Sequence, residues 1–124
     1  MEEQNNISLD QLCLFGFGTG ADQNLNMIRG DTFSFGLECY LLDQDLDSAF
    51  FTVRKSYDGE IIFQRSLGNG IEKIETGIYS IRIAPENTRD LEAGHYYYDF
   101  NINVNNDVFT LIKGDLLIEH DVTY

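Results

Sequence analysis

The stretch Thr88–Val104, TRDLEAGHYYYDFNINV, constrains this chain more than any other. From His95 to Val104 it alternates without a slip. Tyr96, Tyr98, Phe100, Ile102 and Val104 point one way; His95, Tyr97, Asp99, Asn101 and Asn103 point the other. A period of two is the period of a β-strand. An apolar phase against a polar one describes a strand with one face in a core and one in water, the habit of antiparallel sheets. At the start of this strand stand Leu91, Gly94 and Tyr96, a Leu-x-x-Gly-x-Tyr corner. In immunoglobulin-like sandwiches a Tyr at this place buries its ring and returns its hydroxyl to the backbone just upstream.

Further strands are expected on either side, divided by turn residues. Asn24–Ile28 is short and ends at Arg29-Gly30-Asp31. Thr32–Leu42 carries Phe33, Phe35, Leu37, Cys39 and Leu41 on one face, with Cys39 as a small core residue. Ala49–Lys55 and Glu60–Leu67 flank a Tyr57-Asp58-Gly59 turn, with Ile61, Phe63 and Leu67 in phase. Ile71–Ile74 is a short or edge strand. Ile78–Ala84 ends at Pro85, and Pro85–Leu91 fits one helical turn. Asn105-Asn106 makes a two-residue hairpin, because Asn tolerates positive φ. Asp107–Lys113 and Asp115–Val122 return, broken at Gly114. The expected architecture is all-β: an immunoglobulin-like antiparallel β-sandwich of about 7–8 strands over residues 24–124. Residues 1–23 differ in composition, polar and then Gly-rich, and read as an N-terminal arm with one short strand or helical turn. The antibody signature, a Cys pair around a Trp, is absent.

Eight basic against 21 acidic residues give a net charge of −13. That repels phosphate backbones and anionic membrane surfaces, so neither nucleic acid nor membrane is an expected partner. No apolar run approaches a membrane span. The opening MEEQNN lacks the basic region and apolar run of a secretory leader, which points to synthesis in a reducing cytoplasm.

No chemistry declares itself. Gly16-x-Gly18-x-Gly20 fits neither nucleotide fingerprint and reads as a hinge. Asp43, Asp45 and Asp47 resemble the start of a calcium loop. The sixth position is Ser48 and the twelfth Arg54, so the EF-hand motif fails. A looser calcium site between loops stays open, but the expected role is a solvated or partner-facing acidic patch. His95 and His120 are the only histidines, and neither joins a nucleophile or a zinc set. Arg29-Gly30-Asp31 spells an integrin tripeptide but reads as a bend between strands. No catalytic residue, cofactor, metal or small-molecule ligand is expected.

Three segments, in order, carry a resemblance. They are MIRGDTFSFGLECYLLDQDLDSAFFTVRKS (Met27–Ser56), GIYSIRIAPENTRDLEAGHYYYDFNINV (Gly77–Val104) and FTLIKGDLLIEHDVT (Phe109–Thr123). Together they resemble the Ig-like N-terminal domain of bacteriophage baseplate upper proteins and related prophage structural proteins. The resemblance covers about Met27 to Tyr124. It implies a non-catalytic structural role in a virion, through contacts with other phage structural proteins or with copies of itself. The expected interaction surface is Asp43, Asp45, Asp47, Tyr97 and Asp99, with the arm as an assembly element. The alternative is a carbohydrate-binding or adhesin-type module, for which only Tyr40, Tyr57 and Tyr97 offer an aromatic platform.

Overall fold

The computed structural model describes residues 13–15, 24–39 and 45–120. Among them run nine strands and one helical turn. The strands are β1 (Cys13–Phe15), β2 (Leu25–Ile28), β3 (Phe33–Cys39), β4 (Ser48–Arg54) and β5 (Ile61–Leu67). After them come β6 (Gly70–Glu75), β7 (Ile78–Ile83), β8 (Gly94–Val104) and β9 (Asp107–Glu119), with α1 (Pro85–Thr88) between β7 and β8. The hydrogen-bonded order is β1-β3-β7-β6-β5-β4-β8-β9-β2. Only two residue pairs, Ser66↔Gly70 and Leu67↔Ile71, join β6 to β5. The sheet folds over at that seam into two layers, β1-β3-β7-β6 and β5-β4-β8-β9-β2. The fold is an immunoglobulin-like β-sandwich.

The core fills the space between the layers. Phe51 of β4 is fully buried. Its ring meets Phe35 of the opposite layer at 5.6 Å, and Tyr98 and Phe100 of β8 at 5.4 and 6.4 Å. Tyr98 follows the corner Tyr96 by two residues, the place where antibody domains carry their second cysteine. Packed aromatic rings therefore occupy the region that a disulfide and a Trp would fill. A second tie crosses the layers at one end, where the Leu46 N–H donates to the buried Tyr79 hydroxyl at 2.9 Å.

The corner forms as the sequence predicts. The Tyr96 hydroxyl donates to the Glu92 carbonyl at 2.7 Å, and Gly94 takes φ +146°, where a side chain is strained. Leu91 packs against the core. The Arg29-Gly30-Asp31 bend is locked to this corner. Arg29 Nη1 donates to the Leu91 carbonyl at 3.1 Å, and the Gly30 N–H donates to Thr88 Oγ1 at 2.8 Å. Gly30 has φ +83° and Asp31 N–H returns to the Ile28 carbonyl. The tripeptide is thus structural. Asn105 and Asn106 both have positive φ, at 54° and 67°, and make the expected hairpin turn between β8 and β9.

Several local expectations are corrected. Ile61 was in phase with Phe63, yet it is 47% exposed while Phe63 packs on the core. The register slips between Val53 and Arg54, so Ile62 is an extra residue and Ile61 turns outward. Gly114 does not break the last strand: it pairs with Tyr98 inside a continuous β9. The slip falls instead at Phe100/Asn101, opposite Leu111. The pairing is not wholly antiparallel, since β2 runs parallel to β9. Within the span read as an arm, Cys13–Phe15 pairs antiparallel with the chain's own β3. The Gly16–Gly20 hinge, Tyr40, Leu41 and Asp43 lie outside the described residues, as does the side chain of Cys39.

Candidate functional site

The outward phase of the β5-β4-β8-β9 layer is where chemistry gathers. Cross-strand register sets it row by row. Arg54 lies opposite Tyr97, which lies opposite Asp115; Thr52 lies opposite Asp99, which lies opposite Lys113; Phe50 lies opposite Asn101. Because strands present every second residue to one face, these side chains share one surface.

Tyr97 is held between two rings. Tyr57, from the β4–β5 turn, stacks on it with centroids 4.1 Å apart, and the His95 ring meets it edge-on at 4.9 Å. His95 Nε2 also lies 3.4 Å from Asp115. Lys55 backs the cluster: its ammonium sits 4.3 Å from the centroid of the Tyr96 ring and donates to the His95 carbonyl. Asp99 receives Arg54 Nη1 and Asn101 Nδ2, both at 3.4 Å, and Gln64 Nε2 donates to Thr52 Oγ1 at 2.8 Å. Between these side chains runs a shallow groove. One cavity of about 270 Å³ is bounded by Phe50, Gln64 and Asn101. A smaller one of about 40 Å³ is bounded by Tyr57, Tyr97 and Lys113. The two share Thr52, Arg54 and Asp99.

Burial raises the pKa of Asp99 above the ordinary 3.8, against smaller lowering pulls from Arg54 and Asn101. A carboxyl whose folded value is raised favours the fold when protonated. That contribution is complete below the unfolded value and is lost as pH rises through the folded one. Asp99→Asn is therefore expected to melt higher than the parent at neutral pH, with the gap closing on acidification. Thermal denaturation of both proteins across that range checks it; a gap that is absent at neutral pH or widens in acid refutes it.

The expected surface residues do not form one site. Tyr97 and Asp99 share the face just described. Asp45 and Asp47 lie at the Ser48 end of β4. Asp45 Oδ2 accepts from Lys73 at 2.9 Å, and the Asp47 carboxylate accepts from the Asn105 N–H at 3.1 Å. The Asp47 backbone bonds Asn103, six residues along β8 from Tyr97 and so roughly 20 Å away. Sequence reasoning did not single out Thr52, Gln64 and Lys113, and met Arg54 only as a failed calcium ligand. The signal was present in the outward phase of Ser48–Arg54, the alternate of the buried Ala49, Phe51 and Val53.

No protein-family model and no curated protein matches the sequence. Among solved structures, the chain is similar to CopC from Methylosinus trichosporium OB3b, at 8% identity and a TM-score of 0.47, over 89% of this chain and 93% of that one. It is also similar to the swine CD8αα homodimer, at 11% identity and 0.48, over 90% and 99%. The first Ig domain of the mouse polymeric immunoglobulin receptor gives 12% and 0.47, over 85% and 96%. None of these scores reaches 0.5, too low to transfer any property.

Proposed function

We propose that this chain is a non-catalytic bacteriophage or prophage structural protein, a tail, baseplate or virion component that works through protein–protein assembly contacts. The observation that supports the reading is a convergence. Residues from two separate segments of the resemblance, Arg29 and Gly30 in one and Thr88 and Leu91 in the other, bond to each other in a single corner. Gly114, from the third segment, pairs with Tyr98 beside it. The ordered set thus reads as one interlocked unit.

Assembly contacts fit a −13 chain that meets basic or mixed-charge partners. The arm is the assembly element, and its test must spare β1. Deleting residues 1–20 would remove Cys13–Phe15 and bare the edge of β3. Deleting residues 1–12 leaves that strand in place. Light scattering is expected to give the full chain a mass of several copies and the shortened chain a smaller one. A full chain that runs at 14.2 kDa ends the self-assembly reading. Particles purified after induction of the bacterium that carries the gene should contain the chain by mass spectrometry, and its absence from them overturns the virion reading.

A further inference from the structure

We infer that the groove on the outward face of β5-β4-β8 is a saccharide-binding site that takes one neutral sugar ring, with Tyr57 as its stacking platform. A pyranose has an apolar face of C–H groups and a rim of hydroxyls, each able to donate and to accept. A site for it needs a flat apolar surface beside planar polar side chains of both kinds.

Both halves are here. Tyr57 is 69% exposed, although one side of its ring rests on Tyr97. The stack on Tyr97, which is itself braced edge-on by His95, holds the ring in place, so less rotamer freedom remains to be lost on binding. Along the groove, Arg54, Gln64 and Asn101 carry planar donor groups, and Asp99 and the Gln64 carbonyl oxygen accept. The bonds that hold Asp99 are long, at 3.4 Å each, so its oxygens can pass to shorter, charge-assisted bonds from sugar hydroxyls. Gln64 spends one amide hydrogen on Thr52.

Size and charge narrow the ligand. Tyr57 bounds the smaller cavity, about 40 Å³, which joins the larger one of about 270 Å³ through Thr52, Arg54 and Asp99. Together they stay near the lower end of the roughly 300–1,000 Å³ of drug-sized sites, room for one ring whose face meets Tyr57 and whose hydroxyls reach Gln64 and Asn101. A chain of −13 repels uronates and sialylated glycans over the range of its field. The mixture of donors and acceptors, with Arg54 and Lys113 set against Asp99 and Asp115, suits uncharged hydroxyls. A flat protein interface would not need a concavity into which planar polar groups converge.

The inference stands apart from the phage reading, and its test does not depend on assembly. The full chain is applied to an array of neutral and acidic oligosaccharides. It is then titrated with glucose, galactose and N-acetylglucosamine in large excess, with amide shifts followed by NMR. Binding to a neutral glycan is expected, with shifts centred on Tyr57, Arg54 and Asp99. Tyr57→Ala, an exposed position, should weaken it about tenfold or more at unchanged melting temperature, and Gln64→Ala severalfold. No neutral glycan bound and no shift, binding confined to acidic glycans, or binding untouched by Tyr57→Ala would overturn the inference. So would shifts on this face that follow protein concentration alone, since they would assign it to a second copy.

Discussion

Phe51→Ala is expected to destabilise the fold by about 3–5 kcal/mol. Phe51 is fully buried and touches Phe35 across the layers, as well as Tyr98 and Phe100 beside it. Antibody domains hold this region with a disulfide and a Trp, whereas here packed rings occupy it. Truncation removes both the transfer energy of a phenyl group and its contacts, and the two layers cannot close over the void while β4 and β8 stay paired. Against a typical domain stability of about 5–15 kcal/mol, that leaves a marginal protein. Urea denaturation gives the number, and Phe51→Leu supplies the control, since it keeps most of the volume. Equal losses for Ala and Leu would mean that ring volume does not hold the layers.

Thr88→Val is expected to cost about 1–3 kcal/mol, although it is nearly isosteric. Thr88 is fully buried, and its hydroxyl accepts the Gly30 N–H at 2.8 Å. Valine fills the same space and takes the acceptor away from a part-buried donor. The loss would extend to the neighbouring bond from Arg29 to Leu91, because both fasten the same bend to the same corner. Thr88→Ser keeps the hydroxyl and gives up one methyl. The midpoint of denaturation should fall further for Val than for Ser; the reverse order would show that Thr88 matters for its methyl alone.

The core half of this molecule was legible because strands write their burial in alternate residues. The phases of Phe51–Val53, Tyr79–Ile83 and Tyr96–Val104 name inner positions directly, and Pro85, Asn105 and Asn106 mark the breaks through their own backbone limits. What a period cannot announce is a register slip. The bulges at Val53/Arg54 and Phe100/Asn101 each insert one residue, and that alone turned Ile61 outward and carried the ladder past Gly114. The candidate site was half legible for a related reason. Tyr97 and Asp99 stand out on the wet phase of β8, but Arg54, Gln64 and Lys113 join them only through pairing between strands far apart in sequence. The acidic loop looked like one cluster because its aspartates are adjacent in the chain; Asp45 and Asp47 turn to different partners, Lys73 and the Asn105 backbone.

The parallel pairing of β2 with β9 has a mechanical consequence. The chain enters this pair at Leu25 and leaves it at Glu119, with rungs from Leu25↔Leu116 to Ile28↔Glu119. A load that drags the two ends apart therefore acts along the strands, in opposite directions on the two partners. All four rungs must shear together, whereas a hairpin pulled open at its mouth would release them one at a time. A strand of only four residues is in this respect a clasp, which takes the load once the three-residue β1, earlier in the chain, has been drawn off β3.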